Sequence, residues 1–373
     1  MHHSRTARGG DQAGDNAVLV GHSLTSSCVV EEWAAALLGH GPQFALDSGA
    51  DFVVCVNFIG SPYGSSSPLR ARLDAAALGG DDDDAAAASG AFPTPVTVAD
   101  NARAQHALLQ ALGVRSVALA IGGSLGAMLA LEYTATHPAM VRSLVLIAGA
   151  ASATAWSLGA NTAQRAALAA DARWRGGAYQ ADAPPAAGLA AARQVAMLSY
   201  RAPDGMQQRF ASPEGPPLRQ ATPGGPAAWA VERWLDHAAA SLLARFDAAC
   251  YAALTHTLDS HHVSAERCAR ITCPALVVAV SSDTLYPLPV SEALAAALPG
   301  AMLHVLHSAH GHDGFLIELP KVGARVSDFR RSLPRASSPM PPPQPAPRTP
   351  KHAHARPLLG ACWPPAGLGA SPF

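Results

Sequence analysis

Six short apolar runs, at residues 17–20, 52–57, 117–121, 143–148, 275–280 and 302–306, are rich in Val, Leu and Ile. Several end in a stretch of Gly, Ser, His or Asp. Runs of four to seven apolar residues bounded by turn formers predict strands buried on both faces. Residues 97–112 show a different period. Val98, Ala102, Leu108, Leu109 and Leu112 recur near helical spacing, and Gly113 closes the segment. A second helical pattern, rich in Ala, Leu and Met, follows residue 126. Strand and helix in alternation predict an α/β fold with a mostly parallel sheet and helices on both faces. From residue 151 to 263 the strand pattern disappears. Helical and loop-rich sequence takes over, broken at Pro184-Pro185 and in the Pro-rich stretch 213–226, and reads as an inserted helical cap. The core is therefore expected in two parts, 17–150 and 264–333. Residues 1–16, the Asp-rich stretch near 74–90 and the Pro-rich tail 334–373 are expected to be disordered, because none carries enough apolar residues to bury.

Composition narrows the function classes. Of 373 residues, 49% are hydrophobic, enough for a sizeable core, and the formal net charge of −1 supplies no field to draw nucleic acid or an anionic membrane. The first 16 residues hold no apolar h-region, so no secretory signal is read there. Residues 143–161 contain Gly, Ser, Thr and Asn and read as strand and loop, not as a membrane span. A cytoplasmic location is expected, with organelle targeting left open. Six cysteines form no CxxC pair, so no metal site is expected and a reducing compartment is the default.

The most specific chemistry lies after the strand at 117–121. Gly122-Gly123-Ser124-Leu125-Gly126 is Gly-x-Ser-x-Gly between a strand and a helix, the pattern of a nucleophile elbow. Small residues must flank the serine in so sharp a turn, and the helix start offers free N–H groups to a developing negative charge. A serine needs a base, and the base an orienting acid, in the chain order Ser, Asp or Glu, His. Asp283 follows the strand at 275–280. His307, His310 and His312 follow the strand at 302–306. His312 is the expected base because it lies deepest in its loop, with His310 as the second choice. The oxyanion donors expected are the backbone N–H groups of Leu125 and of the loop after the strand at 17–20, around Leu24 or Thr25.

Several stretches together resemble the homoserine O-acetyltransferase family of the α/β-hydrolase fold. They are VLVGHSLTSS, FVVCVNFIGSPYGSSSP, FPTPVTVADNARAQHALLQALGV, IGGSLGAMLALEY, GLAAARQVAMLSYR, RFDAACYAALTHTLDSHHV, SSDTLYP and HGHDGFL, in family order from about residue 17 to 329. The resemblance implies Ser124 as nucleophile, Asp283 as orienting acid and His312 as base. It also implies that Arg193 and Asp313 contact an amino-acid substrate, a guanidinium to its carboxylate and a carboxylate to its ammonium. Tyr200, about two helical turns beyond Arg193, is expected on the same face. The activity implied is acetylation of the L-homoserine hydroxyl in methionine biosynthesis, with acetyl-CoA as co-substrate, no permanently bound cofactor, and a homodimer. Serine as acceptor, a succinyl donor, simple ester or thioester hydrolysis, and an inactive truncated homologue are the alternatives. Two departures stand out. Leu125 and Ala127 replace the family's Met and Gly. The strands that precede 17–20 in the family are not evident, which predicts an open sheet edge.

Overall fold

The computed structural model describes residues 14–212, 218–222 and 225–333. Its centre is a sheet of six strands: β1 (Ala17–Gly21), β2 (Phe52–Cys55), β3 (Val117–Gly123), β4 (Leu144–Ile147), β5 (Ala275–Val280) and β6 (Met302–Leu306). The spatial order is β6-β5-β4-β3-β1-β2, and every neighbouring pair is parallel. Alternation along the strands feeds two cores. Ala17 and Leu19 of β1 join the cluster on one face, and Val18 and Val20 join that on the other. The chain leaves β1 toward β2, then returns past it to β3 and continues the opposite way. The order therefore reverses between β1 and β3, and the carboxyl ends of strands at such a point are where open α/β sheets bind ligands. Among the described residues no strand pairs with the outer side of β2, which leaves the sheet edge expected there open.

Helices cover both faces. α1 (Pro68–Ala77), α2 (Asp82–Gly90) and α3 (Val98–Ala111) lie between β2 and β3, and α4 (Leu125–Thr136) follows β3. α3 begins with a capping box, in which Thr97 Oγ1 accepts the Asp100 N–H (3.0 Å) and the Asp100 carboxylate accepts the Thr97 N–H (2.9 Å). α4 is buried at every position from Leu125 to Thr134, and its one charged residue, Glu132, is paired with Arg267 at 2.7 Å. No helix among the described residues is long and apolar enough to cross a membrane.

Two expectations of disorder need correction. The stretch 74–90 is ordered as the end of α1, a turn at 78–81 and all of α2. Its Asp run sits where a helix favours acid, at the N-terminus. Asp81 caps α2 by accepting the N–H groups of Asp83 (3.0 Å) and Asp84 (2.9 Å), and alanines carry the helix onward. A buried Arg72–Asp247 pair at 2.7 Å ties α1 to the cap. At the other site, Asp15 pairs with Arg115 (2.7 Å) and the Asn16 amide donates to the Ala50 carbonyl (2.7 Å), so these two residues are held against the sheet. The remaining stretches expected to be disordered, 1–13 and 334–373, lie outside the described residues.

The cap contains α5 (Ala155–Ala169), α6 (Ala186–Tyr200), α7 (Pro203–Phe210), α8 (Ala230–Leu243) and α9 (Ala248–Asp259). It also holds an antiparallel pairing of Arg219–Thr222 with Gly225–Trp229. That pairing has no counterpart in the hydrophobic pattern, because the segment lacks apolar alternation. α10 (Leu288–Ala297) and α11 (Leu319–Ser332) complete the core layers. The cap meets the loop after β6 backbone to backbone. A Cβ on Gly205 would stand 2.0 Å from the Ala309 carbonyl oxygen, and one on Gly311 2.5 Å from the Ala202 nitrogen.

Candidate active site

The turn from β3 into α4 is as tight as its sequence predicts. A Cβ on Gly122 would lie 2.2 Å from the Gly126 backbone, and one on Gly126 would lie 2.0 Å from the Gly21 carbonyl oxygen. Neither position accepts a side chain while β1, β3 and α4 stay in place. Ser124 sits between them at φ 55°, ψ −122°, a left-handed conformation that a non-glycine residue keeps only under surrounding constraint. The constraint is visible. The Ser124 N–H donates to the Ile147 carbonyl of β4 (2.9 Å), and its carbonyl accepts the N–H groups of Ala127 and Met128 in the first turn of α4.

Three side chains from three loops meet there. The Ser124 hydroxyl lies 2.9 Å from His312 Nε2, and His312 Nδ1 lies 2.7 Å from Asp283 Oδ2. A carboxylate only accepts, so Nδ1 carries the hydrogen and Nε2 is left to accept from the serine. The other Asp283 oxygen, Oδ1, accepts the backbone N–H groups of Leu285 (2.8 Å) and Tyr286 (2.9 Å). All three residues are buried. Burial works against a charged imidazole at His312, but the Asp283 carboxylate outweighs it and raises the pKa above the ordinary value. The rings of Tyr286 and Phe315 fix the imidazole edgewise, at centroid distances of 5.4 and 5.6 Å. Such a file can draw a proton off the hydroxyl and store it as an imidazolium beside a fixed negative charge. His310, the second choice from sequence, is exposed and outside the file.

The two residues expected to supply N–H donors lie on segments that adjoin the turn: the start of α4 and the loop after β1. Leu125 is the first residue of α4, so its N–H has no partner within the helix. Leu24 is buried in the loop after β1, the strand next to β3. A residue not singled out from sequence shapes that loop. The fully buried His22 donates from Nδ1 to the Ser23 carbonyl (2.8 Å), and its Nε2 faces the Phe58 N–H at 3.4 Å. Burial lowers its pKa to about 4, so the ring stays neutral.

Cap residues form the opposite wall. The Tyr200 ring lies 5.8 Å from that of His312, and its hydroxyl pKa is pushed up to about 12 by burial. Arg193 is partly buried on α6, and its Nε is enclosed without a hydrogen-bond partner. Its charge acts on Tyr63, Tyr200 and Asp313 to lower the pKa of each. Asp313 differs from expectation in one respect. It is not a free carboxylate, because Arg201 Nε stands 3.1 Å from its Oδ2. Burial raises the Asp313 pKa, and Arg201 counters the rise. Arg201 was invisible to helical spacing because it follows the last residue of α6, where the chain has already turned extended.

Known proteins match this architecture. A family model described as the alpha/beta hydrolase fold covers residues 16–317. The homoserine O-acetyltransferase of Salinibacter ruber is 44% identical over 330 residues, covering 86% of this chain and 89% of that protein. Two solved structures show the fold. A homoserine O-acetyltransferase from Bacillus anthracis has a TM-score of 0.71 at 18% identity, covering 86% of this chain and 89% of its own. An acetylester hydrolase from Corynebacterium glutamicum has a TM-score of 0.70 at 21% identity, covering 86% and 87%. Backbone likeness alone therefore does not separate acyl transfer from ester hydrolysis, and the separation rests on sequence. At 44% identity across most of its length, the chain belongs to the homoserine O-acetyltransferase family, acyltransferases built on the α/β-hydrolase fold.

Proposed function

We propose that this enzyme transfers an acyl group, acetyl by family, from acyl-CoA to the side-chain hydroxyl of L-homoserine, a step that serves methionine biosynthesis. His312 takes the Ser124 proton as the serine oxygen attacks the thioester carbonyl. The Leu125 and Leu24 N–H groups hold the oxyanion. When the C–S bond breaks, the imidazolium returns the proton to the departing thiolate and an acyl-serine remains. The homoserine hydroxyl then attacks that ester, again losing its proton to His312. Ser124 leaves with the proton restored, and the O-acyl amino acid is released. Asp283 keeps the imidazole in the productive tautomer throughout.

The observation that carries this reading is the pairing of a complete serine–histidine–aspartate file with a charged cap wall. A hydrolase needs only the file. A transferase must hold an amino-acid alcohol in place against water. Arg193 suits the acceptor carboxylate, Asp313 its ammonium, and Tyr200 the space between them and His312. The test is mass spectrometry of the products when acetyl-CoA or succinyl-CoA is offered with homoserine or serine. O-acetylhomoserine as the main product, with an acetyl group trapped on Ser124, is the expected result. Free acetate with no O-acyl amino acid would make the protein an esterase or thioesterase. Unchanged turnover in Ser124→Ala would remove the mechanism.

A further inference from the structure

The two N–H groups assigned to the oxyanion rest on different supports. Leu125 opens α4, and the helix fixes its N–H. Leu24 lies in a loop, 22–28, that belongs to no strand or helix, so other groups must hold it. Before Leu24, His22 is fully buried with its ring edgewise to Phe58 at 4.9 Å, and the Ser26 N–H closes a turn onto the Ser23 carbonyl (3.1 Å). After it, the Cys28 N–H donates to Asn57 Oδ1 (2.8 Å), and the Asn57 amide donates in turn to the Tyr63 carbonyl (2.6 Å). Between these braces the Thr25 carbonyl accepts from Arg245 Nη1 (2.6 Å). The same Nη1 donates to the Tyr63 hydroxyl.

Arg245 belongs to the cap, in the turn between α8 and α9, and that turn is firmly seated. Phe246 is buried, with the rings of Tyr63 and Tyr251 edgewise to it at 5.7 and 6.2 Å. Asp247 caps α9 by accepting the Cys250 N–H (3.0 Å), and its other oxygen holds Arg72 and the Tyr179 hydroxyl, each at 2.7 Å. A guanidinium only donates, so the Thr25 carbonyl and the Tyr63 oxygen both accept, and its charge strengthens each bond. Arg245 itself is exposed, but its acceptors are fixed groups: one is main chain, and the other is on a half-buried residue whose own carbonyl is held by Asn57. The grip falls on the residue directly after Leu24, where rotation of the backbone would re-aim the Leu24 peptide. An oxyanion donor works only when it points at the place where charge develops.

We propose that Arg245, with Tyr63 setting its guanidinium, is a positioning residue that holds the 22–28 loop so that the Leu24 N–H points at the oxyanion. This rests on the acyl-serine mechanism above and gives the cap a part in the bond-making steps. The test uses two acyl donors, acetyl-CoA and p-nitrophenyl acetate, and one inhibitor, trifluoroacetone, which forms a tetrahedral oxyanion adduct on a serine hydroxyl. Arg245→Ala should slow Ser124 acylation by both donors about tenfold, less than the ~10²- to 10³-fold loss of an oxyanion donor itself. It should weaken trifluoroacetone by a similar factor and leave KM for homoserine unmoved. Arg245→Lys, which keeps a charged donor, should recover part of the loss, and Tyr63→Phe should lose less than Arg245→Ala. Should Arg245→Ala not fold, Arg245→Lys and Tyr63→Phe carry the same comparison. Unchanged acylation and inhibitor binding, or a loss confined to KM for homoserine, would overturn the role. A loss seen with acetyl-CoA and not with the ester would overturn it too, and would make Arg245 a donor-binding group. Wild-type acylation by the ester but not by acetyl-CoA would overturn the donor reading alone, and the variants assayed with the ester would still decide the part played by Arg245.

Discussion

The two walls of the site are built to different standards. On the sheet rim, every polar side-chain atom of Ser124, His312 and Asp283 has a partner within 2.9 Å, and the partners are backbone groups or one another. On the cap wall, the enclosed Nε of Arg193 has no hydrogen-bond partner, and that of Arg201 meets only the Asp313 carboxylate, 3.1 Å away and out of line for a hydrogen bond. Buried polar groups are normally satisfied, so the contrast carries information. The rim is preorganised by the fold itself, through a strained serine and a glycine-tight turn. On the proposed function the cap wall is completed by what it binds, so chemistry that must be geometrically exact sits on the sheet and recognition falls to the cap helices.

The strongest test of that division removes the rim hydroxyl. Ser124→Ala should lower kcat by about 10⁴-fold or more, as loss of a member of such a unit does. Thermal unfolding should stay near that of wild type, since the serine side chain bonds only to His312. A parallel loss of stability would show that the file also holds the fold together. Gly126→Ala should act the other way round. Its Cβ would meet the Gly21 carbonyl oxygen at 2.0 Å, so β1 and α4 must separate. A destabilisation of about 3 kcal/mol is expected, at the upper end for overpacking, read as a lower denaturant midpoint. Weaker effects belong to the cap. Arg193→Lys keeps the charge but loses the paired N–H fork. KM for homoserine should rise about 10- to 100-fold, the worth of a hydrogen bond to a charged partner. Acylation of Ser124 by the donor alone should be unaffected, and any loss there would move Arg193 from acceptor binding to the rim.

The same division explains what the sequence made legible. The rim could be read from the chain because each of its parts ends a strand, and a strand of apolar residues announces its own end. Ser124 follows β3, Asp283 follows β5 and His312 follows β6. The cap was legible only where helical spacing applied, as from Arg193 to Tyr200. Arg201 escaped because it lies one residue past the helix. Its partners, Asp313 and Trp234, come from segments more than thirty residues away. His22 escaped because a histidine that serves as a loop brace has no local signature. The Asp-rich α2 was misread because four consecutive acids mark solvated coil by composition. At a helix N-terminus the same acids are capping groups. Composition carries no register, and register decided the outcome.

The pH profile offers the finest comparison of the two walls. His312 must be neutral to act as a base, and Asp283 raises its pKa above the ordinary value of about 6.5 despite burial. The rate of Ser124 acylation, which needs no acceptor, should therefore fall as pH falls through a midpoint above about 6.5. Burial also raises the Asp313 pKa, with Arg201 opposing the rise, so this carboxylate too gives up its charge as pH falls. That loss should appear only in the acceptor-dependent parameter, as a second and smaller acid limb in kcat/KM for homoserine. Asp283→Asn separates the causes. Without the carboxylate, burial is the dominant influence left on the imidazole, and it favours the neutral ring. The residual activity of that variant should show its acid limb displaced to lower pH. A limb that stays in place would mean that a group other than His312 sets it, and the rim would no longer be the self-contained half of the site.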